Sequence, residues 1–190
     1  ERAWAGQIIS WIKQSINDGT TLFEEATNDE GIKLASGKTK FPDVLLFIDK
    51  ISGIVFNGWE LKFPDTEADD NEMLENALEK AEKLKSNSFV TWNGTEAIIW
   101  KIEDDNYTTS GLQKLKVYPK ETDITNRNDL ADRNNYNKHE AKLQKRLNEI
   151  LHDLENLYKS GELKQAINIS GNFVDAVRAA SEIILPQFKD

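Results

Sequence analysis

A mixed α/β fold follows from three features of this 190-residue chain. Short runs rich in Val, Ile, Leu and Phe alternate with stripes of apolar residues at helical spacing. The elements run helix, strands, helix, strands, then helices, which suits a central sheet flanked by helices. A polar stretch over 119–137, rich in Asn and Asp, separates a core of roughly 118 residues from a helical tail. The predicted division is therefore a core over 1–118 and a linker with a C-terminal helical extension over 119–190.

Each element has a local cause. Trp4, Ile8, Trp11, Ile12 and Ile16 recur at helical spacing, and Asn17-Asp18-Gly19 stops the helix predicted over 2–17. Ile32-Lys33-Leu34 predicts an edge strand, with Gly37 as a turn residue after it. Phe41 to Asp49 and Ile54 to Phe63 predict a β-hairpin around Lys50-Ile51-Ser52-Gly53, ended by Pro64. Asp69 with Glu72 predicts a capping box for a helix over 70–86, whose stripe is Met73, Leu74, Ala77, Leu78, Ala81 and Leu84. Phe89 to Trp92 and Glu96 to Ile102 flank an Asn93-Gly94 turn, and Leu115 to Tyr118 adds a short strand. Leu143, Leu147, Ile150, Leu151, Leu154, Leu157 and Tyr158 mark a long helix stopped by Gly161. A last helix is predicted from about 173 to 185, between Asn172 and Pro186.

Composition excludes several functions. The chain has no cysteine, so a disulfide scaffold, a thiolate zinc site and a cysteine nucleophile are ruled out. Its five Trp, eight Phe and four Tyr are enough for a real core, and Trp59 and Trp92 are expected in it. No apolar run approaches the ~20 residues that span a bilayer, and no signal-peptide pattern opens the chain, which predicts a cytoplasmic protein with no membrane partner. The first residue is Glu1, not Met, which predicts either a trimmed chain or one piece of a larger protein. His139 and His152 are thirteen apart in one predicted helix and are expected on the surface, not as a metal pair. There is no phosphate-binding Gly-rich loop for nucleotide hydrolysis.

The net charge of -9 is unevenly spread. Residues 65–82 carry eight acids against Lys80 alone, seven of the nine excess negatives. The remaining chain is nearly neutral, so a basic face is still possible there. Lys33, Lys38 and Lys40 form one group, with Lys38 and Lys40 as candidate DNA-phosphate contacts. Lys138, Lys142, Lys145 and Arg146 form a second, read as solvated surface.

The chemistry lies in the hairpin. Glu60 and Lys62 are two apart on one strand and share a face. With the turn centred between Ile51 and Ser52, Asp49 faces Ile54 and Asp43 faces Glu60. Opposed residues have Cβ atoms ~5 Å apart, where like charges destabilise a sheet unless a cation lies between them. Mg²⁺ meets that need, since it takes one or two carboxylates and keeps waters, and the Leu61 carbonyl can add an oxygen. Lys62 beside it would hold or deprotonate water, a set suited to metal-assisted phosphodiester hydrolysis.

At these residues the chain resembles the PD-(D/E)xK nuclease superfamily: Pro42-Asp43 is the PD element and Glu60-Leu61-Lys62 the ExK element. The family core runs helix, three strands, helix, strand, and the resemblance covers roughly residues 1–105. It implies a restriction-endonuclease-like core and a Mg²⁺-dependent deoxyribonuclease, with Mn²⁺ able to substitute. Asp43 and Glu60 would bind metal together with the Leu61 carbonyl, Lys62 would position water, and Glu25, with Glu24 beside it, would supply a further acid. The wider segments Phe-Pro-Asp-Val-Leu-Leu-Phe and Gly-Trp-Glu-Leu-Lys-Phe-Pro-Asp-Thr look like the nuclease domains fused to adenine methyltransferases in single-chain restriction-modification enzymes. That likeness implies double-stranded DNA as substrate and a methyltransferase or recognition domain in the same polypeptide. A repair or junction-resolving nuclease of the same superfamily, and a non-catalytic protein-interaction module with the same fold, are the alternatives.

Overall fold

In the computed structural model, which describes residues 2–34 and 36–166, a six-stranded, mostly antiparallel sheet lies between helices. Helix α1 (Arg2–Asn17) buries Trp4, Ala5, Ile8, Ile9, Trp11 and Ile12, as its periodicity requires. Strand β1 (Glu25–Thr27) follows, then a separate two-stranded ribbon of β2 (Ile32–Lys33) and β3 (Thr39–Lys40). The hairpin is β4 (Val44–Asp49) and β5 (Ile54–Leu61). Helix α2 (Asn71–Leu84) crosses to β6 (Ser88–Trp92), and β7 (Ala97–Ile102) and β8 (Leu112–Tyr118) complete the sheet. The order is β1-β4-β5-β6-β7-β8, and only β5 and β6 run parallel. A parallel pair needs a crossover, and α2 supplies it.

The two faces have different covers. Trp4, Ile8 and Ile12 of α1 and Leu143, Leu147, Ile150 and Leu154 of the long helix share one apolar cluster with Val44, Leu46, Trp59, Leu61, Trp92 and Ile99. On the other face, Leu74, Ala77, Leu78 and Ala81 of α2 pack on Phe89, Ile98, Trp100 and Ile102. Trp59 and Trp92 are fully buried, as expected, and Trp4 meets Trp92 edge-on at 5.1 Å between ring centroids.

The predicted hairpin register holds at Val44↔Trp59, Leu45↔Gly58, Leu46↔Asn57 and Asp49↔Ile54, with a one-residue shift at Phe47↔Val55. Two compensating irregularities cause that shift. The one in β5 turns Phe56 toward the α1 side, where it packs on Phe23 and Tyr158. Beyond it Trp59 and Leu61 face α1, leaving Gly58, Glu60 and Lys62 to alternate onto the α2 side.

Several sequence expectations are corrected. Ile32-Lys33 does not join the sheet; β1, three residues with only Ala26 buried, takes the place beside β4. The cap of α2 is Asp70, whose side chain accepts from the Glu72 and Met73 amides at 3.0 and 3.2 Å, while Asp69 pairs with Lys114. The polar stretch after Tyr118 is not slack. Ile124 and Leu130 are buried in the main cluster, and short helix α3 (Arg127–Ala131) leads into α4 (Arg133–Lys159), capped by Asp132. Leu130 packs against the Asn93-Gly94 turn so closely that a Cβ on Gly94, where φ is +86°, would fall 2.2 Å from Leu130 Cδ1. His139 is buried, with Nδ1 3.6 Å from Asp123, because it faces inward on α4; His152 is exposed. The helix predicted at 173–185 lies outside the described residues.

Because α4 shares its core with α1 and the sheet, residues 2–166 should unfold as one unit. Leu154→Ala should cost about 2–5 kcal/mol in urea melts, with one cooperative transition retained. Two separate transitions, with only the later one moved by the substitution, would show that α4 folds independently.

Candidate active site

The site forms where β4 begins and β5 ends. Pro42 directs the chain into β4, and the Asp43 amide donates to the Trp59 carbonyl at 3.2 Å. One carboxylate oxygen of Asp43 accepts from the Leu61 amide at 2.8 Å, closing the end of the hairpin ladder with a side chain. In a strand, the amide and carbonyl of one residue point to the same edge. The Leu61 carbonyl therefore lies on the edge that Asp43 occupies, while the Leu61 side chain is buried in the core.

Glu60 lies between these residues and α2. It is 6% exposed and sits beside Thr91 of the parallel strand. Burial pushes its carboxyl up to about 7, and the charge of Asp43 adds to the rise; Lys80 and Lys62 pull the other way. Asp43 and Lys62 are thus each close enough to Glu60 to act on its charge. Lys62 directly follows β5, and its amide donates to the Trp92 carbonyl at 3.0 Å.

A fourth residue belongs to the group. Lys80 of α2 is 6% exposed, and its ammonium bonds a carboxylate oxygen of Glu60. Lys80 is the one base in the acidic 65–82 run, which reads as part of a solvated face. It also lies seven residues after Met73 and three after Ala77, on the stripe that faces the sheet. A lysine on an apolar stripe needs a buried partner, and Glu60 is that partner.

The other candidates sit elsewhere. Glu25 is opposite Phe47, four residues along β4 from Asp43, which is roughly 13 Å at strand rise. Its partners are Lys13, at 3.2 Å, and Lys50, and these ion pairs with the Ala26 amide hold its carboxyl below the usual range against the opposing effect of burial. Glu24 accepts from the Lys50 amide at 3.0 Å. Neither glutamate is brought to Asp43, because β1 pairs with the far end of β4. Asp29 is the acid nearer the site: with Arg2, Asn28, Phe41, Pro42 and Asp43 it lines a cleft of about 420 Å³. Lys40 is held by Glu79 and Asn76 of α2, at 2.5 and 2.6 Å, whereas Lys38 is exposed at the ribbon tip. The second basic group is engaged too, with Lys142 on Asp123 and Arg146 on Glu121.

The donor set, Asp43, Glu60 and the Leu61 carbonyl, has the hard oxygens that suit a small hard cation. Two carboxylates and one carbonyl, with water completing the shell, are what Mg²⁺ takes. Among the described residues, no three or more His, Cys, Asp or Glu side chains gather as a metal cluster. The like-charge conflict between Asp43 and Glu60 already has one cation beside it, the Lys80 ammonium. Comparison of the chain with protein-family models, with curated proteins and with solved structures gave no significant match.

The raised Glu60 carboxyl has a stability consequence. A folded value near 7 against an ordinary 4.5 means that the folded chain keeps a proton the unfolded chain loses. The associated stability is complete below about 4.5 and disappears as pH rises through 7. In metal-free urea melts, wild type should lose roughly 3 kcal/mol relative to Glu60→Gln between pH 4 and pH 8. A pH-independent difference between the two proteins would contradict the burial of an ionising Glu60.

Proposed function

We propose that this chain is the cleavage domain of a metal-dependent DNA endonuclease of the PD-(D/E)xK type, acting in a restriction-modification system. The observation that carries the reading is that Asp43 and Lys62 both lie close enough to Glu60, at one end of a buried hairpin, to act on its charge. The order of elements around it supports the reading: α1, the strands β1, β4 and β5, then α2 and β6, match the helix, three strands, helix, strand of the family core. The side of β5 that meets the Asp43 carboxylate also carries the Leu61 carbonyl, and these are the oxygens that a divalent ion would share with Glu60.

In this reading Asp43, Glu60 and the Leu61 carbonyl hold Mg²⁺, or Mn²⁺ in its place. The ion, when bound, supplies Lewis acidity at the scissile phosphate and lowers the pKa of water. Lys62, close enough to Glu60 to act on its charge, would orient the attacking water through its Nζ and could take a proton from it. Lys38, exposed before the site, contacts the phosphate backbone of double-stranded DNA. Lys40, tied to Glu79, is the weaker candidate for that task. Sequence recognition falls to a methyltransferase or recognition domain in the same polypeptide. No helix among the described residues is long and apolar enough to cross a membrane.

One observation favours a second reading, a non-catalytic interaction module: Lys80 neutralises Glu60 with no ion required. Plasmid nicking separates the two. With Mg²⁺, wild type should convert supercoiled plasmid to nicked and linear forms, and Asp43→Ala and Lys62→Ala should each lose about 100-fold or more in rate. Equal cutting by wild type and both variants would remove these residues from the chemistry.

A further inference from the structure

We infer that Lys80 is the resident counter-ion of the carboxylate site, and that a divalent ion must displace its ammonium from Glu60 to bind. This inference rests on the metal reading above and adds what controls occupancy of the site. Three observations lead to it. Glu60 and Lys80 are both nearly inaccessible to solvent, so neither charge can be satisfied by bulk water. The ammonium sits on a carboxylate oxygen of Glu60, the group that would face the ion. Asp43 lies close enough to disfavour ionisation of Glu60, so the site holds two carboxylates against a buried lysine and the neighbouring Lys62.

The ammonium holds one Glu60 oxygen, Oε1, and a hard cation drawn to the same carboxylate competes with it for that negative charge. Two cations within a few ångströms in a poorly hydrated site also repel strongly. Lys80 therefore keeps the ion-free site folded and neutralised, at the cost of weak metal affinity. Its position on α2 makes that control separable from Asp43, Glu60 and Lys62, which all lie on the hairpin. Lys80 is in this sense a positioning residue that acts through Glu60.

Calorimetric titration with Mn²⁺ at pH 8.5 tests the inference without reference to cleavage. Lys80→Met and Lys80→Gln should each bind Mn²⁺ about ten-fold or more tighter than wild type, because the competing charge is gone, and Lys80→Arg should stay within about three-fold. A measurement on the unaltered protein guards against variants that fail to fold. Acylation of Lys80, followed by peptide mass spectrometry, should rise several-fold when Mn²⁺ is added, with Lys33 labelling unchanged. If wild type binds Mn²⁺ while the neutral variants bind it equally or more weakly, or if Lys80 labelling does not respond, the displacement is overturned and the metal site stands. If neither wild type nor any folded variant binds Mn²⁺, the metal reading itself fails, and this inference with it.

Discussion

A carboxylate buried between a strand and a helix needs a positive partner, and the Glu60–Lys80 pair meets that need here. The pair links the end of β5 to α2, the crossover helix that makes the β5/β6 parallel step possible. It also fixes which face of the hairpin carries charge. Trp59 and Leu61 occupy the opposite face and anchor it in the core shared with α1 and α4, so a register slip would put Glu60 into that core. The fold and the candidate chemistry thus depend on the same alternation of side chains along β5.

Such a pair is a poor source of stability, because two desolvated ions gain little over well-packed apolar residues. Its presence beside Asp43 and Lys62 is explained by the proposed metal chemistry. Two neighbouring carboxylates need a counter-charge before a divalent ion arrives, and a helix-borne lysine can fill that role without occupying the hairpin. The acidic face of α2 then has a structural side as well, since Glu79 holds Lys40 and so fastens the β2–β3 ribbon to the helix.

Much of this architecture was legible in the residues. The hairpin, its register and the placement of Asp43 opposite the Glu60 end follow from apolar alternation and the Lys50–Gly53 turn. The stripes of α1 and α2, and the strands around Asn93-Gly94, follow from period alone. What escaped was set by tertiary contact. Three residues with one buried alanine give β1 no periodic signal, whereas Ile32-Lys33-Leu34 carries the pattern of an edge strand. Ile124 and Leu130 are isolated in a polar stretch, and only their packing against the main core reveals that it is not a linker. Glu25 stands near the hairpin in sequence but pairs with the wrong end of β4. Lys80 was hidden by the acids around it, although its place on the apolar stripe was a readable sign.

The most direct test is to locate the ion. Crystals of the protein soaked in Mn²⁺ and measured at the manganese edge should show one anomalous peak about 2.2 Å from carboxylate oxygens of both Asp43 and Glu60. A map with no peak between these two side chains at saturating Mn²⁺, or with the metal bound only elsewhere on the surface, would contradict the account.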